Sequence, residues 1–595
     1  MLPNTCRARA RFGRDLLSAS PASPNSQTLP ARWPSLARLA LAAACAGLWA
    51  CAAAPVAGRP DAPVMAPAPA IDTTPVPARP QSSGLPEGWQ HGAFMEIFVR
   101  AYADSDGDGI GDLRGLTAKL DYLQDLGVSG LWLMPITASA DHDHGYAGVD
   151  FRRIEADYGS LADFDALIAA AHARGIGVII DYMINHSAAA SPMFQASAAD
   201  RSGPFRDWYV WQDTAPAGWN IWDRDPWVPH TTGAYFATFG AHMPDFNLRH
   251  PAALRYHQDS LRFWLNRGLD GYRLDAVPHM IENNARDWND QPESRAMTRD
   301  FQSLINNYPQ RHVVCEATAE PKDYSAPEIC GSAFAFGLET QLVNAARGEP
   351  EAVQRVARYF DPHKPTSPDA PPLTTMGLFV ANHDWFAGRR LWDQVGGDIA
   401  LYKLTAATYL LLPGTPYIYY GEEIGQAGAR GLTGDPQIRA PMSWTADPAT
   451  GGFTTGTPFR PPASNVASHN AQAQATDPNG LLAHYKALIA LRKALPSIAR
   501  GSWLASKADA STLSFQRRLG SEHTLVTYNY GLAPARLAVS GLPAGARLQP
   551  VAAPPASAPA LAAIAANPQG QASVALPAQS FAVWRVVAAG TAAPP

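Results

Sequence analysis

The sequence predicts an α/β chain built on a TIM (β/α)8 barrel, with a small excursion domain after strand 3 and a C-terminal antiparallel β-sandwich. Three observations lead there. Strand-like and helix-like stretches alternate at short spacing from residue 94 onward, which implies a parallel sheet with right-handed crossovers. About eight strands can be counted, a number that closes into a barrel. Polar residues gather where several of these strands end, the face on which a barrel carries its chemistry.

Taken in order, residues 1–51 read as an export signal. Arg32 and Arg38 flank the start of an apolar run, 36–50, too short to span a bilayer comfortably. The run ends in Leu48-Trp-Ala-Cys51, which resembles a bacterial lipoprotein cleavage box. Lipidation of Cys51 would tether the protein to a membrane, and ordinary signal cleavage nearby is the alternative. Either way the expected location is the periplasm, the outer membrane or the medium. Residues 52–87, rich in Pro and Ala, read as an extended, unpacked linker. Only Cys315 and Cys330 lie beyond the leader. Cys315 sits in an apolar strand-like run, and both thiols are expected to be free and buried, a single bridge in an oxidising compartment being the other option.

The first part of the barrel spans 88–186, with strands at 94–99, 128–136 and 176–184 and helices at 113–126 and 161–174. From 187 to 245 the helical pattern gives way to Trp-, Pro- and Gly-rich sequence, the excursion domain. The barrel resumes over 246–500, with an amphipathic helix at 254–267 and strands at 272–277, 312–316, 333–338, 376–381 and 417–421. Beyond 501, to about 590, short alternating strands (513–517, 524–530, 580–587) predict the sandwich. A net charge of −5 with 17% charged residues gives no electrostatic bias toward nucleic acid. The 16 Trp and 20 Tyr can pack cores or make flat platforms for sugar rings. No protein partner is implied.

The run Gly271-Tyr-Arg-Leu-Asp-Ala-Val-Pro-His279 carries charge inside an apolar strand, which requires a partner for each charged group. Strand three ends in Asp181-Tyr-Met-Ile-Asn185-His186, strand five in Glu316 and strand seven in Asn382-His383-Asp384. These segments resemble the four short conserved regions of the α-amylase family of glycoside hydrolases. The excursion ends in Met243-Pro-Asp-Phe-Asn247, similar to the signature of members between oligo-1,6-glucosidases and neopullulanases. The resemblance covers about 88–500.

It implies a retaining enzyme on α-1,4-glucosidic bonds of starch or maltooligosaccharides, with an α-glucosidase or glucosyltransferase acting on short oligosaccharides as the alternative. A non-catalytic glucan-binding relative fits poorly with the intact carboxylate set. By resemblance Asp275 is the nucleophile, kept ionised by Arg273, Glu316 the acid/base, and Asp384 the third carboxylate. His186 and His383 would bond hydroxyls of the same sugar, Tyr146 would stack on its ring, and His279 completes an amylase-like second region. The residue after Tyr146, usually Asp, is Ala147. Asp143 would pair with Arg439 of Arg439-Ala-Pro-Met-Ser-Trp444 and close the pocket, as in exo-acting relatives.

Asp104-Ser-Asp-Gly-Asp-Gly-Ile-Gly-Asp112 places carboxylates at alternate positions. With the Ile110 carbonyl, Asp104, Asp106, Asp108 and Asp112 suit a hard oxygen-seeking cation, and structural Ca2+ is the expected cofactor. The bidentate Glu that would close an EF-hand loop is Gly115 here.

Overall fold

The computed structural model describes residues 71–361, 376–551 and 561–590. The leader, with Cys51, lies outside the described residues. Eight strands close the barrel: β1 (Phe94–Ile97), β2 (Gly130–Leu133), β3 (Gly177–Met183), β4 (Gly271–Asp275), β5 (His312–Cys315), β6 (Ala333–Phe334), β7 (Met376–Leu378) and β8 (Thr415–Tyr419). All neighbours run parallel, and β8 returns on β1 from Phe94↔Tyr417 to Glu96↔Tyr419. Every residue of these strands is buried. That is why they read as unbroken apolar runs, and why the few charged residues inside them stood out.

Large rings fill the lumen: Trp89, Phe94, Trp132, Phe334, Phe379 and Tyr417, with Leu85 and Ile179. They leave no room for a side chain at two strand starts. A Cβ on Gly177 would come within 2.2 Å of the Trp89 ring, and one on Gly130 within 2.3 Å of Phe94.

Helix Leu161–His172 begins at a capping box in which Ser160 and Asp163 satisfy each other's backbone N–H, a cap that contributes about 1 kcal/mol. Phe164, Leu167, Ile168 and Ala171 form its buried stripe. Helix Pro251–Leu265 starts on Pro and buries Tyr256, His257, Leu261 and Trp264. The helix expected over 113–126 is two, Leu113–Ala118 and Leu120–Leu126. Lys119 leaves helical geometry and bonds back to Leu116. Strand β6 keeps only two residues of the expected 333–338, because the chain turns there: Phe336 bonds to Phe334 and Leu338 to Ala335.

Two expectations need correction. Residues 71–87 of the presumed linker pack on the barrel. The Arg79 N–H donates to Asn266 Oδ1 (2.9 Å), Arg152 Nη1 donates to the Thr74 carbonyl (2.8 Å), and Leu85 joins the lumen. Backbone groups, which composition does not reveal, hold this stretch. The second correction concerns Cys315 and Cys330, buried as expected but joined in a disulfide. Cys315 ends β5 in register with Ala333 of β6, and a turn bonded from Cys330 to Tyr324 returns the chain to it.

The excursion after β3 holds helix Pro192–Ala199 and a three-stranded sheet, Trp211–Gln212, Gly233–Phe236 and Trp227–His230, over a small core of Ile221, Trp227 and Phe236. At the C-terminal end, a six-stranded antiparallel sheet faces a two-stranded ribbon, Ala535–Val539 with Ala572–Leu576. Leu525, Leu548 and Trp584 of the sheet meet Leu537, Val574 and Leu576 of the ribbon. Phe515, Val526 and Tyr528 join the barrel core instead. The alternation read from the sequence is this two-sided burial.

Candidate active site

Strand β4 supplies the centre. Residues two apart on a strand share a face, so Arg273 and Asp275 point the same way, and the register sets Asp181 of β3 beside Arg273. Arg273 Nη1 donates to Asp181 Oδ1 (2.8 Å) and to Asp275, while Nη2 stands 3.0 Å from Glu316 Oε2. The guanidinium fork, about 1% exposed, therefore serves three carboxylates at once. Its flat face lies over Trp132, at 5.4 Å.

Just past Asp275 the backbone enters the left-handed region at Ala276 (φ 50°), an unfavourable conformation for a residue with a Cβ. The turn aims the Ala276 N–H at Glu316 Oε2, 3.0 Å away. Glu316 follows β5 directly, next to the disulfide, and its own N–H donates to the Leu274 carbonyl (2.9 Å). Strain, disulfide and backbone bonds thus fix Asp275 and Glu316 relative to each other.

Asp384, beyond β7, faces His383 Nε2 at 3.2 Å and Arg439 Nη2 at 3.4 Å. His383 is itself braced. Its Nδ1 donates to Glu96 Oε1 of β1 (2.5 Å), its ring stacks on Tyr146 (5.4 Å), and its Nε2 meets the Tyr146 hydroxyl at 2.7 Å. That hydroxyl donates to Asp181 Oδ2 (2.8 Å). Asp141 holds the Tyr146 loop, accepting from the N–H groups of Asp143, Gly145 and Ala147, so it supports the loop where the usual Asp is missing.

These surroundings separate the acids. Burial pushes Asp275 up to about 6, Arg273 opposing and Asp181 adding to the rise. Arg273 favours the ionised form, but burial outweighs it. Burial, assisted by Asp275 and Asp384, pushes Glu316 up to about 7 against the pull of Arg273. Burial also disfavours the charge on His383, but Asp384 and Glu96 outweigh it and raise the imidazole to about 10. Asp384 is held well below the usual carboxylate range, since His383 and Arg439 outweigh its burial. Near neutrality, then, Asp384 is an anion, His383 a cation, and Glu316 holds its proton more firmly than Asp275 does.

His186 and His279 are both pushed down to about 4 by burial and stay neutral. His186 Nε2 lies 3.1 Å from the Tyr146 carbonyl, at the edge of the carboxylate group. The ring neighbours of His279 are Trp222, Phe239 and Trp288.

The expected Asp143–Arg439 pair is replaced. Both Asp143 oxygens lie 2.9 Å from Arg460 Nη2. Arg439 is drawn inward to Asp384, to Asp435 (3.2 Å) and to the His383 carbonyl (2.8 Å). Arg460 Nη1 donates to the Arg439 carbonyl (3.2 Å), joining the two pairs into one wall. Sequence reasoning missed Glu96 and Arg460 and gave Asp181, quoted at the end of strand three, no role of its own. Glu96 and Asp181 carried a signal, each an acid inside an apolar strand, whereas nothing in Thr-Pro-Phe-Arg460-Pro-Pro marks its partner.

In the Asp-rich loop, carboxylates of Asp104, Asp106 and Asp108 gather within 4.8 Å of one another. Burial and repulsion from Asp106 and Asp104 raise Asp108. Three converging hard oxygen donors that repel each other fit a divalent cation. Ile110 donates its N–H to Asp108 Oδ1 (2.8 Å). Asp112 caps helix Leu113–Ala118 through Gly115 (2.8 Å) and accepts from both the N–H and the hydroxyl of Ser105.

A parallel barrel whose strand ends gather three carboxylates around one arginine holds the groups that glycoside hydrolysis needs, and the match to known proteins shows that class. The model of the alpha amylase catalytic domain matches residues 96–501. Alpha-amylase 3 of Dictyoglomus thermophilum is 33% identical over 463 residues, 75% of this chain and 86% of that protein. The trehalose synthase/amylase TreS of Mycobacterium tuberculosis is 31% identical over 494 residues, covering 73% and 80%. Among solved structures, the alpha-glucosyl transfer enzyme XgtA matches with a TM-score of 0.71 at 27% identity, over 84% of this chain and 99% of that one. The chain belongs to the α-amylase family of glycoside hydrolases, family 13, and is an enzyme.

Proposed function

We propose that the enzyme hydrolyses α-1,4-glucosidic bonds of maltooligosaccharides with net retention, taking the non-reducing terminal glucosyl unit into a closed pocket. The observation that supports this reading is the chain of contacts Asp384–Arg439–Arg460–Asp143, which the reading takes as the closed end of the site. An endo-acting cleft would leave that end open for further sugars.

Asp275 attacks the anomeric carbon while Glu316 gives its proton to the departing oxygen. Water then donates a proton back to Glu316 as its oxygen displaces Asp275. Two carboxylates held by one guanidinium favour the short separation of about 5–5.5 Å that a retaining pair uses. Asp384, kept anionic, and His383 bind hydroxyls of the distorted sugar, with Tyr146 beneath its ring and His186 at its edge. The acids predict a narrow bell for kcat/KM, rising as Asp275 ionises near pH 6 and falling as Glu316 loses its proton near pH 7.

Products decide between pocket and cleft. Maltotriose should yield glucose and maltose, while starch keeps its viscosity and iodine colour early in digestion. Arg460→Ala should raise KM for maltose about tenfold, the worth of one charge-assisted contact. A rapid early loss of starch viscosity by the unaltered enzyme would contradict the pocket.

We also propose that Asp104, Asp106 and Asp108, with the Ile110 carbonyl, hold a structural Ca2+ whose charge relieves their repulsion. EDTA should then lower the melting temperature by several degrees and added Ca2+ restore it; an indifferent melting curve would remove the site. Export, with Cys51 as lipid anchor, is proposed on the leader sequence alone. Acyl labelling that persists in Cys51→Ser would refute the anchor.

A further inference from the structure

We infer that Glu96, on β1, is a positioning residue that keeps a proton on His383 Nε2 and so fixes the direction of each hydrogen bond between β1 and Arg273. That role rests on the functional reading above at one point, that the Nε2 N–H serves a hydroxyl of the bound sugar.

Glu96 owes its place to the closure of the barrel. In register it lies between Trp132 of β2 and Tyr419 of β8. There its Oε1 accepts from His383 twice, from Nδ1 at 2.5 Å and from the backbone N–H at 3.3 Å. Both side chains are about 1% exposed, so water does not stand in for either partner. Trp132 meets the imidazole edge-on at 5.6 Å and Tyr146 stacks on its face, which holds the ring in one orientation.

The ring has an acid at each nitrogen. Nδ1 faces Glu96, and Nε2 faces Asp384 Oδ2 at 3.2 Å. An ionised carboxylate only accepts, whereas a neutral imidazole has one N–H to give. A single proton would leave a lone pair against a buried carboxylate at one end. Arg439 Nη2, 3.4 Å from Asp384, keeps that acid anionic, so the second proton belongs between Glu96 and Nδ1. Whichever of those two atoms holds it, Nε2 carries a proton of its own.

The remaining bonds then run one way. Nε2 donates to the Tyr146 hydroxyl (2.7 Å), that hydroxyl to Asp181 Oδ2 (2.8 Å), and Arg273 Nη1 to Asp181 Oδ1 (2.8 Å). A bare Nε2 would instead take the Tyr146 proton away from Asp181, and the change would reach the arginine that holds Asp275 and Glu316. Asp181 and His144 also interact with the charge on the ring, and Arg439 Nε binds the His383 carbonyl. Glu96 and Asp384 touch the ring itself, and together they raise it above its ordinary value.

Glu96→Gln tests this by keeping the shape and removing the charge. The backbone N–H of His383 holds the amide oxygen where Oε1 was, so Nδ1 keeps its proton and Nε2 gains one only as the pH falls. The readout is kcat/KM for α-glucosyl fluoride, whose departure asks little of Glu316, taken as the ratio of variant to unaltered enzyme. That ratio should fall about tenfold from about pH 5.5 to about pH 8, the worth of one charge-assisted hydrogen bond. In a His383→Gln background the same change should add no pH-dependent loss. A ratio independent of pH, an equal loss in both backgrounds, or a Glu96→Gln protein that does not fold would each mark a structural partner and overturn the inference. If the unaltered enzyme fails to turn over the fluoride, the functional reading itself falls, and the role of Glu96 with it.

Discussion

Asp275→Asn is expected to lower kcat/KM for maltose by at least about 10⁴-fold, the scale on which loss of a covalent nucleophile is felt. The same change should leave the melting temperature at pH 7 unchanged or raised. Burial lifts this carboxyl from 3.8 to about 6 in the fold. A group raised in this way contributes its stability below the unfolded value, and loses it as pH climbs through the folded one. At pH 7 the ionised Asp275 therefore weakens the fold, and a neutral amide removes that penalty while still accepting from Arg273. Arg273 also keeps Asp181 and Glu316 as partners. A variant that is inactive and markedly less stable would mean that Asp275 is a structural ion-pair partner.

Glu316→Gln is expected to cost about 10²–10⁴-fold on maltose, the usual worth of a general acid. With α-glucosyl fluoride the loss should be far smaller, because fluoride departs without full protonation. The pH profile is the sharper readout. Glu316 at about 7 sets the falling limb and Asp275 at about 6 the rising one, so the amide should erase the fall and keep the rise. A variant that retains the alkaline fall would assign that proton to another group.

The barrel was legible because β1–β8 are buried on both faces and leave long apolar runs. The central acids were legible for the same reason: Arg273, Asp275 and Glu316 interrupt or end those runs, and charge in such places demands a partner. What escaped depends on distance in space. Arg460 meets Asp143 across 317 residues, a pairing that no local pattern encodes. The Cys315–Cys330 bridge depends on a turn after β5, and the packing of residues 71–87 on backbone bonds to Asn266 and Arg152. Asp112, whose position suits a metal loop and a helix cap equally, caps helix Leu113–Ala118. The direction of the Asp275 shift also escaped, since it follows from how deeply the fold buries the carboxyl.

The central claim is that Asp275 attacks while Glu316, whose proton burial retains, serves as the acid. The most direct measurement incubates the enzyme with a fluorinated glucosyl fluoride that forms the ester quickly and loses it slowly, then digests it for peptide mass spectrometry. The account predicts one fluoroglucosyl group on the peptide containing residues 271–279, attached to Asp275. A label on Asp384 or Asp181, or inactivation with no covalent label, would contradict it.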